Sequence, residues 1–369
     1  MTATVHAPAP AAAVRDEARR DVAVDAVRVL AMCGVVLGHW LVTALVPGPG
    51  GLHVDSPLRH VPYLWPVTWM LQTLGLFFFA GGFGAAASRR AARRAGVPYG
   101  RWLGIRLKRL GYAVGVLAAF WASVLTALAV AGVSGGVLAT AGELAVSPLW
   151  FLAAYVGLVA LAPPLLAAIR RMGTAVVLVP LALVGADDLV RFGPEQFAAV
   201  CPAWLAATLR AFAVPCVWVV PFAVGLRWHD RTPRRAVGAA MLGGGLVAAA
   251  LLVAAGYPAS AVGATGAAAS NLSPPTLFPV ALASAQLGAF LLARPLLARL
   301  SVARVANRFA LPVFLWHQTA LLLVLLLGGG LLAAPGLLGT PDAGWLAVRL
   351  SWLPVFAAVL VVLCRVSRR

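Results

Sequence analysis

The chain has 369 residues, of which 62% are apolar and only 11% charged, with a formal net charge of +18. Its mean hydropathy of +0.93 excludes a soluble domain with an ordinary wetted surface and indicates a polytopic membrane protein. Nor is the basic excess a nucleic-acid footprint: the arginines gather in alternate loops between apolar runs and cover no continuous soluble face.

In chain order, residues 1–20 are rich in Ala and Pro and then mixed in charge (RDEARRD). They read as a disordered cytoplasmic lead, not a cleavable signal, because the apolar run that follows is long and lacks a clear cleavage site. Ten apolar runs come next, at 23–46, 63–87, 111–132, 148–168, 173–190, 204–227, 236–256, 277–298, 309–332 and 343–365. Each approaches the roughly 20 residues that cross a hydrocarbon core of about 30 Å. Residues 21–369 therefore read as one all-α transmembrane domain in which strands are not expected. Most of the 29 Lys and Arg lie at the N-terminus, in the loops after the second, fourth, sixth and eighth runs, and at the C-terminus. Only Arg59 and Arg191 fall in the opposite loops, so the positive-inside asymmetry puts both termini in the cytoplasm. The acids Asp187 and Asp188, with Arg191, read as solvated residues of an outward loop.

Cys33, Cys201, Cys216 and Cys364 have no metal-ligand spacing, so neither a zinc site nor a disulfide framework is expected, and no metal is assigned. The use of 28 Arg against one Lys, with abundant Ala and Gly, is associated with GC-rich bacterial genomes. The expected location is thus a bacterial inner membrane.

The first run contains RVLAMCGVVLGHW, Arg28 to Trp40, which carries an arginine and a histidine eleven residues apart. At about 100° and about 1.5 Å per residue, that spacing is a little over three helical turns and about 16 Å, so both side chains share one face. Arg28 sits near the cytoplasmic end and can snorkel, while His39 lies about halfway through the hydrocarbon core and must face protein or a wet cavity. One reading makes Arg28 a topogenic charge paired with Asp25 and His39 a buried hydrogen-bonding residue. The other makes His39 a neutral general base and Arg28 an anion-recognising group.

Several stretches together carry a resemblance. DAVRVLAMCGVVLGH resembles the first helix of the acyltransferase 3 family, integral-membrane enzymes marked by an arginine, ten residues, then a histidine. LFFFAGGF (Leu76 to Phe83), RLKR (Arg106 to Arg109), PLWFL (Pro148 to Leu152) and FLWH (Phe314 to His317) resemble further family motifs in order. The resemblance implies transfer of an acyl group, usually acetyl from acetyl-CoA, to a hydroxyl of a cell-surface carbohydrate, lipid or secondary metabolite. By the same resemblance His39 is the catalytic base, Arg28 a donor-binding or site-organising group, and Arg106 and Arg109 contacts to the donor phosphates. Two departures stand out: Gly81 occupies a position where many relatives have serine, and Ala153, Ala154 and Tyr155 follow the WFL stretch in place of another branch's pattern.

His317, nine residues after Arg308, comes about 13 Å deep by the helical rise, close to His39. It is expected either to line the same cavity or to be a structural residue beside Trp316, which is itself grouped with the donor site. The expected partners are acyl-CoA, a hydroxyl-bearing acceptor and membrane lipid. The rival class is a transporter or flippase, whose usual mark is a repeat with paired broken helices, and no such correspondence between halves is visible.

Overall fold

The structure is a computed structural model that describes residues 21–367; the lead segment 1–20 lies outside the described residues. Ten helical segments are long and apolar enough to cross a membrane: Val22–Val42, Pro62–Arg94, Tyr99–Val130, Gly135–Ala160, Ala162–Phe192, Ala203–Trp228, Arg235–Ala254, Phe278–Leu297, Ala310–Leu331 and Ala343–Val366. They are spans 1 to 10 below. The all-α, ten-span expectation holds, and three local differences position the site.

Span 3 begins at Tyr99, so Arg101, Arg106 and Arg109 stand on helix where a loop was expected. Its 32 residues reach about 48 Å at the helical rise, well beyond an apolar core of about 30 Å. The stretch read as a single run at 148–168 is two helices, Leu149–Ala160 and Ala162–Met172, the second with proline in its first turn. Proline lacks the N–H that a first turn leaves unpaired and fits a new helix start better than a helix interior.

Span 2 is broken. Helix Trp65–Leu71 ends, and Leu74–Arg94 starts after Gln72 and Thr73. A break at membrane depth frees backbone carbonyls that lipid cannot satisfy. Here span 8 supplies the donor: Gln286 Nε2 donates to the carbonyls of Trp69 (3.0 Å) and Gln72 (2.9 Å). Thr73 Oγ1 donates to the Ala31 carbonyl of span 1 at 2.7 Å. A β-carbon at Gly34 would collide with Thr73, so the glycine lets the break lie against span 1.

A two-stranded antiparallel hairpin, Ala44–Gly48 with Gly51–Asp55, follows span 1. This corrects the expectation of no strands: beyond the end of a span, the demand that each backbone group be satisfied within its own helix no longer applies. Asp187 and Asp188 are also placed differently from the sequence reading. Both are buried inside helix Leu178–Phe192. Arg191 Nη1 lies 3.6 Å from Asp187 and 3.8 Å from Asp188, with Arg210 Nε 4.0 Å from Asp187. Asp188 also accepts from the Tyr257 hydroxyl and the Leu277 amide, which ties span 5 to the segment before span 8.

Spans 2 and 6 pack backbone to backbone. A β-carbon at Gly82 would meet the Phe222 carbonyl, and one at Gly225 would meet the Phe79 carbonyl. Small residues permit this approach where lipid offers no hydrophobic drive between helices. Phe78 stacks on Trp218 at 4.9 Å beside the seam. Gly82→Leu is therefore expected to destabilise the bundle by about 1–3 kcal/mol or more, as core overpacking does. The check is a thermal-unfolding midpoint in detergent, with a clear fall expected for Gly82→Leu and little change for the exposed-position variant Gly243→Leu.

Candidate active site

The polar centre forms where spans 1 and 9 meet. His39 and His317 stand with ring centroids 5.2 Å apart. Gln318 links spans 1, 9 and 4: its Nε2 is 3.2 Å from His39 Nδ1 and 3.4 Å from Ser147 Oγ. Trp40 Nε1 donates to the His317 carbonyl at 3.0 Å and holds the two helices in register. His317 is fully buried, and its Nδ1 lies 2.6 Å from the Phe314 carbonyl. A carbonyl only accepts, so Nδ1 carries a proton. The ring's Nε2 has no hydrogen-bond partner.

Two large cavities flank this centre. One, of about 680 Å³, opens toward the end of the bundle that carries the basic segments, and its lining includes Arg28, Arg106, Arg109, Arg308, Asn307 and Tyr155. The other, of about 720 Å³, lies toward the opposite end and is lined by His39, the broken part of span 2 and the start of span 10. Phe151 and Phe314 line both cavities. Their rings are 5.2 Å apart, and Phe77 packs 4.9 Å from Phe151 and 6.3 Å from Phe314. Three aromatic rings thus make the partition between a basic chamber and a largely apolar one.

Arg28 is fixed at the basic chamber. Its Nη2 donates to the Ala80 carbonyl at 2.8 Å and its Nη1 to Asn307 Oδ1 at 3.4 Å, with Asp25 Oδ1 at 3.9 Å. Asn307 Nδ2 in turn donates to Asp25 at 2.7 Å. Arg28 thus has Asp25 as a neighbour and also lines this chamber. Arg106 stacks on Trp102, 4.2 Å from the ring centroid, and donates to the Trp102 carbonyl. Arg89 lies 5.8 Å from the same ring and lines a smaller cavity of about 350 Å³ with Arg90, Arg93, Arg94 and Arg170. Asp230 in that cavity is paired with Arg90.

Of the residues singled out from sequence, Arg28, Arg106 and Arg109 line one chamber, His39 lines the other, and His317 packs against His39. Trp316 lines neither; it is buried against Phe120, ring centroids 5.3 Å apart. Trp102 is buried beneath Arg106. Sequence reasoning gave no role to Gln318, Ser147, Phe151 or Tyr155. The only signal for Gln318 was an uncharged polar residue next to a histidine on an otherwise apolar helix. Among the described residues, no group of three His, Cys, Asp or Glu side chains converges to hold a metal ion.

The two departures in sequence are one structural feature. A β-carbon at Gly81 would strike the Tyr155 ring, so the tyrosine occupies the space that a serine at position 81 would need. Gly81→Ser alone is expected to cost about 1–3 kcal/mol through overpacking. The double variant Gly81→Ser/Tyr155→Ala should recover most of that loss, as read by thermal unfolding of the purified protein in detergent.

A family model described as an acyltransferase domain matches residues 21–366, nearly the whole chain. No curated protein and no solved structure matches it. The ten-span bundle, with its ordered motifs gathered around two adjoining chambers, thus belongs to the acyltransferase 3 family and is a multi-pass membrane acyltransferase.

Proposed function

We propose that the protein moves an acyl group, acetyl in the first instance, from acyl-CoA in the cytoplasm to a hydroxyl of an acceptor reached from the opposite side of a bacterial inner membrane. The reading is carried by one observation: His39 lines one chamber, an arginine cluster lines a second, and Phe151 and Phe314 line both. The excess of Lys and Arg in the segments at one end supports the reading of that end as cytoplasmic.

The donor's phosphates meet Arg106 and Arg109, whose guanidinium groups suit phosphate oxygens bidentately. Arg28, held by Ala80, Asn307 and Asp25, orients the thioester end. The thioester passes the partition of Phe77, Phe151 and Phe314 to reach His39. There the acceptor hydroxyl oxygen attacks the thioester carbonyl carbon while His39 takes the hydroxyl proton. The tetrahedral intermediate collapses, the C–S bond breaks, and the departing CoA sulfur takes the proton from His39, leaving an ester and free CoA.

Gln318 is the positioning residue. An amide can turn either its nitrogen or its oxygen toward Nδ1. With the oxygen inward it accepts the Nδ1–H of His39, which leaves the Nε2 lone pair free to act as base. His317 packs against the same ring.

Membranes containing the protein are expected to transfer label from acetyl-CoA to a lipid- or glycan-bearing envelope fraction. His39→Ala at equal abundance should lower the rate by at least about 100-fold, the lower range of a positioned base. Unchanged labelling in His39→Ala would remove His39 from the chemistry. In a separate series, Arg106→Ala/Arg109→Ala should raise KM for acetyl-CoA about tenfold or more while changing kcat much less. Equal loss in kcat with no change in KM would place those arginines away from the donor.

A further inference from the structure

The chamber that holds His39 says what kind of acceptor it takes. No Asp, Glu, Lys or Arg lines it. Its walls are aliphatic and proline side chains, such as Leu41, Val67, Pro274, Leu346 and Leu350. Some of its few polar groups are already used. Thr73 Oγ1 is committed to the Ala31 carbonyl, and Thr68 Oγ1 to Trp65 and the Ala261 amide. His39 lines the chamber, and Ser273 and Trp150 add one hydroxyl and one indole N–H to the lining.

This arrangement matches an acceptor with one hydroxyl to deprotonate, attached to a body that needs few polar partners. A free sugar or a charged glycan would lose water from many hydroxyls and carboxylates and find nothing to replace it. An apolar body loses nothing by the same burial. The volume of about 720 Å³ falls in the range of pockets that enclose a compact organic molecule. The rim is also apolar: Val67, Trp150 and Leu350, on spans 2, 4 and 10, are 43%, 46% and 49% exposed. On helices that cross a membrane, such exposed apolar rim residues face acyl chains, so the acceptor arrives from the lipid phase.

We infer that the acceptor is an uncharged alcohol with an apolar body, delivered from the membrane, with its hydroxyl end placed at His39. This rests on the reading of His39 as the acyl-transfer base and narrows that reading to one substrate class.

The test compares 2-methoxyethanol with 2-(decyloxy)ethanol, which share one hydroxyl and one ether oxygen and differ only in the chain, using labelled acetyl-CoA and protein in lipid nanodiscs. The decyl compound is expected to be acetylated with kcat/KM at least tenfold higher, and Leu346→Asn is expected to erase most of that advantage. Equal use of the two alcohols, or preference for the methyl compound, overturns the inference and leaves the role of His39 intact. A second measurement needs no turnover: the decyl compound carrying a diazirine in its chain is photolysed in the nanodiscs and the labelled peptides are mapped. Label is expected on 57–74, 262–275 and 346–350, and excess of the decyl but not the methyl compound should remove it. Label confined to the outer faces of the helices contradicts the proposal. Unaltered transfer by His39→Ala with chamber labelling intact would sink the base assignment and leave the acceptor class standing.

Discussion

The contact on which the arrangement depends is the one between Gln318 and His39. It crosses from span 9 to span 1 inside the bundle and reaches Ser147 in span 4. Inside a membrane a polar side chain without a partner is costly, and the usual solution is to turn it toward another helix. Here that solution commits the Nδ1 nitrogen of His39 to the Gln318 amide. Trp40, bonded to the His317 carbonyl, and Trp121, bonded to Thr319, hold span 9 in the register that this contact needs.

The same requirement shapes the chamber walls. The break in span 2 makes room beside His39, and a break is tolerable only because Gln286 from span 8 and Thr73 itself bind the exposed carbonyls and their neighbours. The bundle thus places irregular backbone only where protein surrounds it and where it lines a cavity. On the other side of the aromatic partition the logic reverses. Charges accumulate there, held by Asn307, Ala80 and the Trp102 ring, at the end where water and anions are available. One protein therefore presents a basic chamber and an apolar chamber that share Phe151 and Phe314, with His39 lining the apolar one.

Much of this was legible in the chain because periodicity carries it. The Arg28 to His39 spacing puts both on one helix face, and hydropathy with the arginine bias yields ten spans. What was not legible depends on contacts between segments far apart in sequence. Nothing near Gln72 marks a break, because the group that compensates it is Gln286, more than two hundred residues away. Gly81 and Tyr155 read as separate departures until the structure shows them sharing one volume. Asp187 and Asp188 looked solvated because two adjacent carboxylates near a helix end usually are, and only Arg191, Arg210 and Tyr257 together make their burial tolerable. Trp316 shows the converse error, since adjacency to His317 in sequence puts it on another face of the helix, against Phe120.

The central claim is that donor and acceptor approach His39 from opposite sides of the membrane. The direct measurement uses proteoliposomes sorted by the orientation of a C-terminal tag, with acyl-CoA, which does not cross the bilayer, supplied on one side at a time. The account predicts acyl transfer only when the donor is on the side bearing Arg106 and Arg109. Equal transfer with the donor on the other side would contradict it.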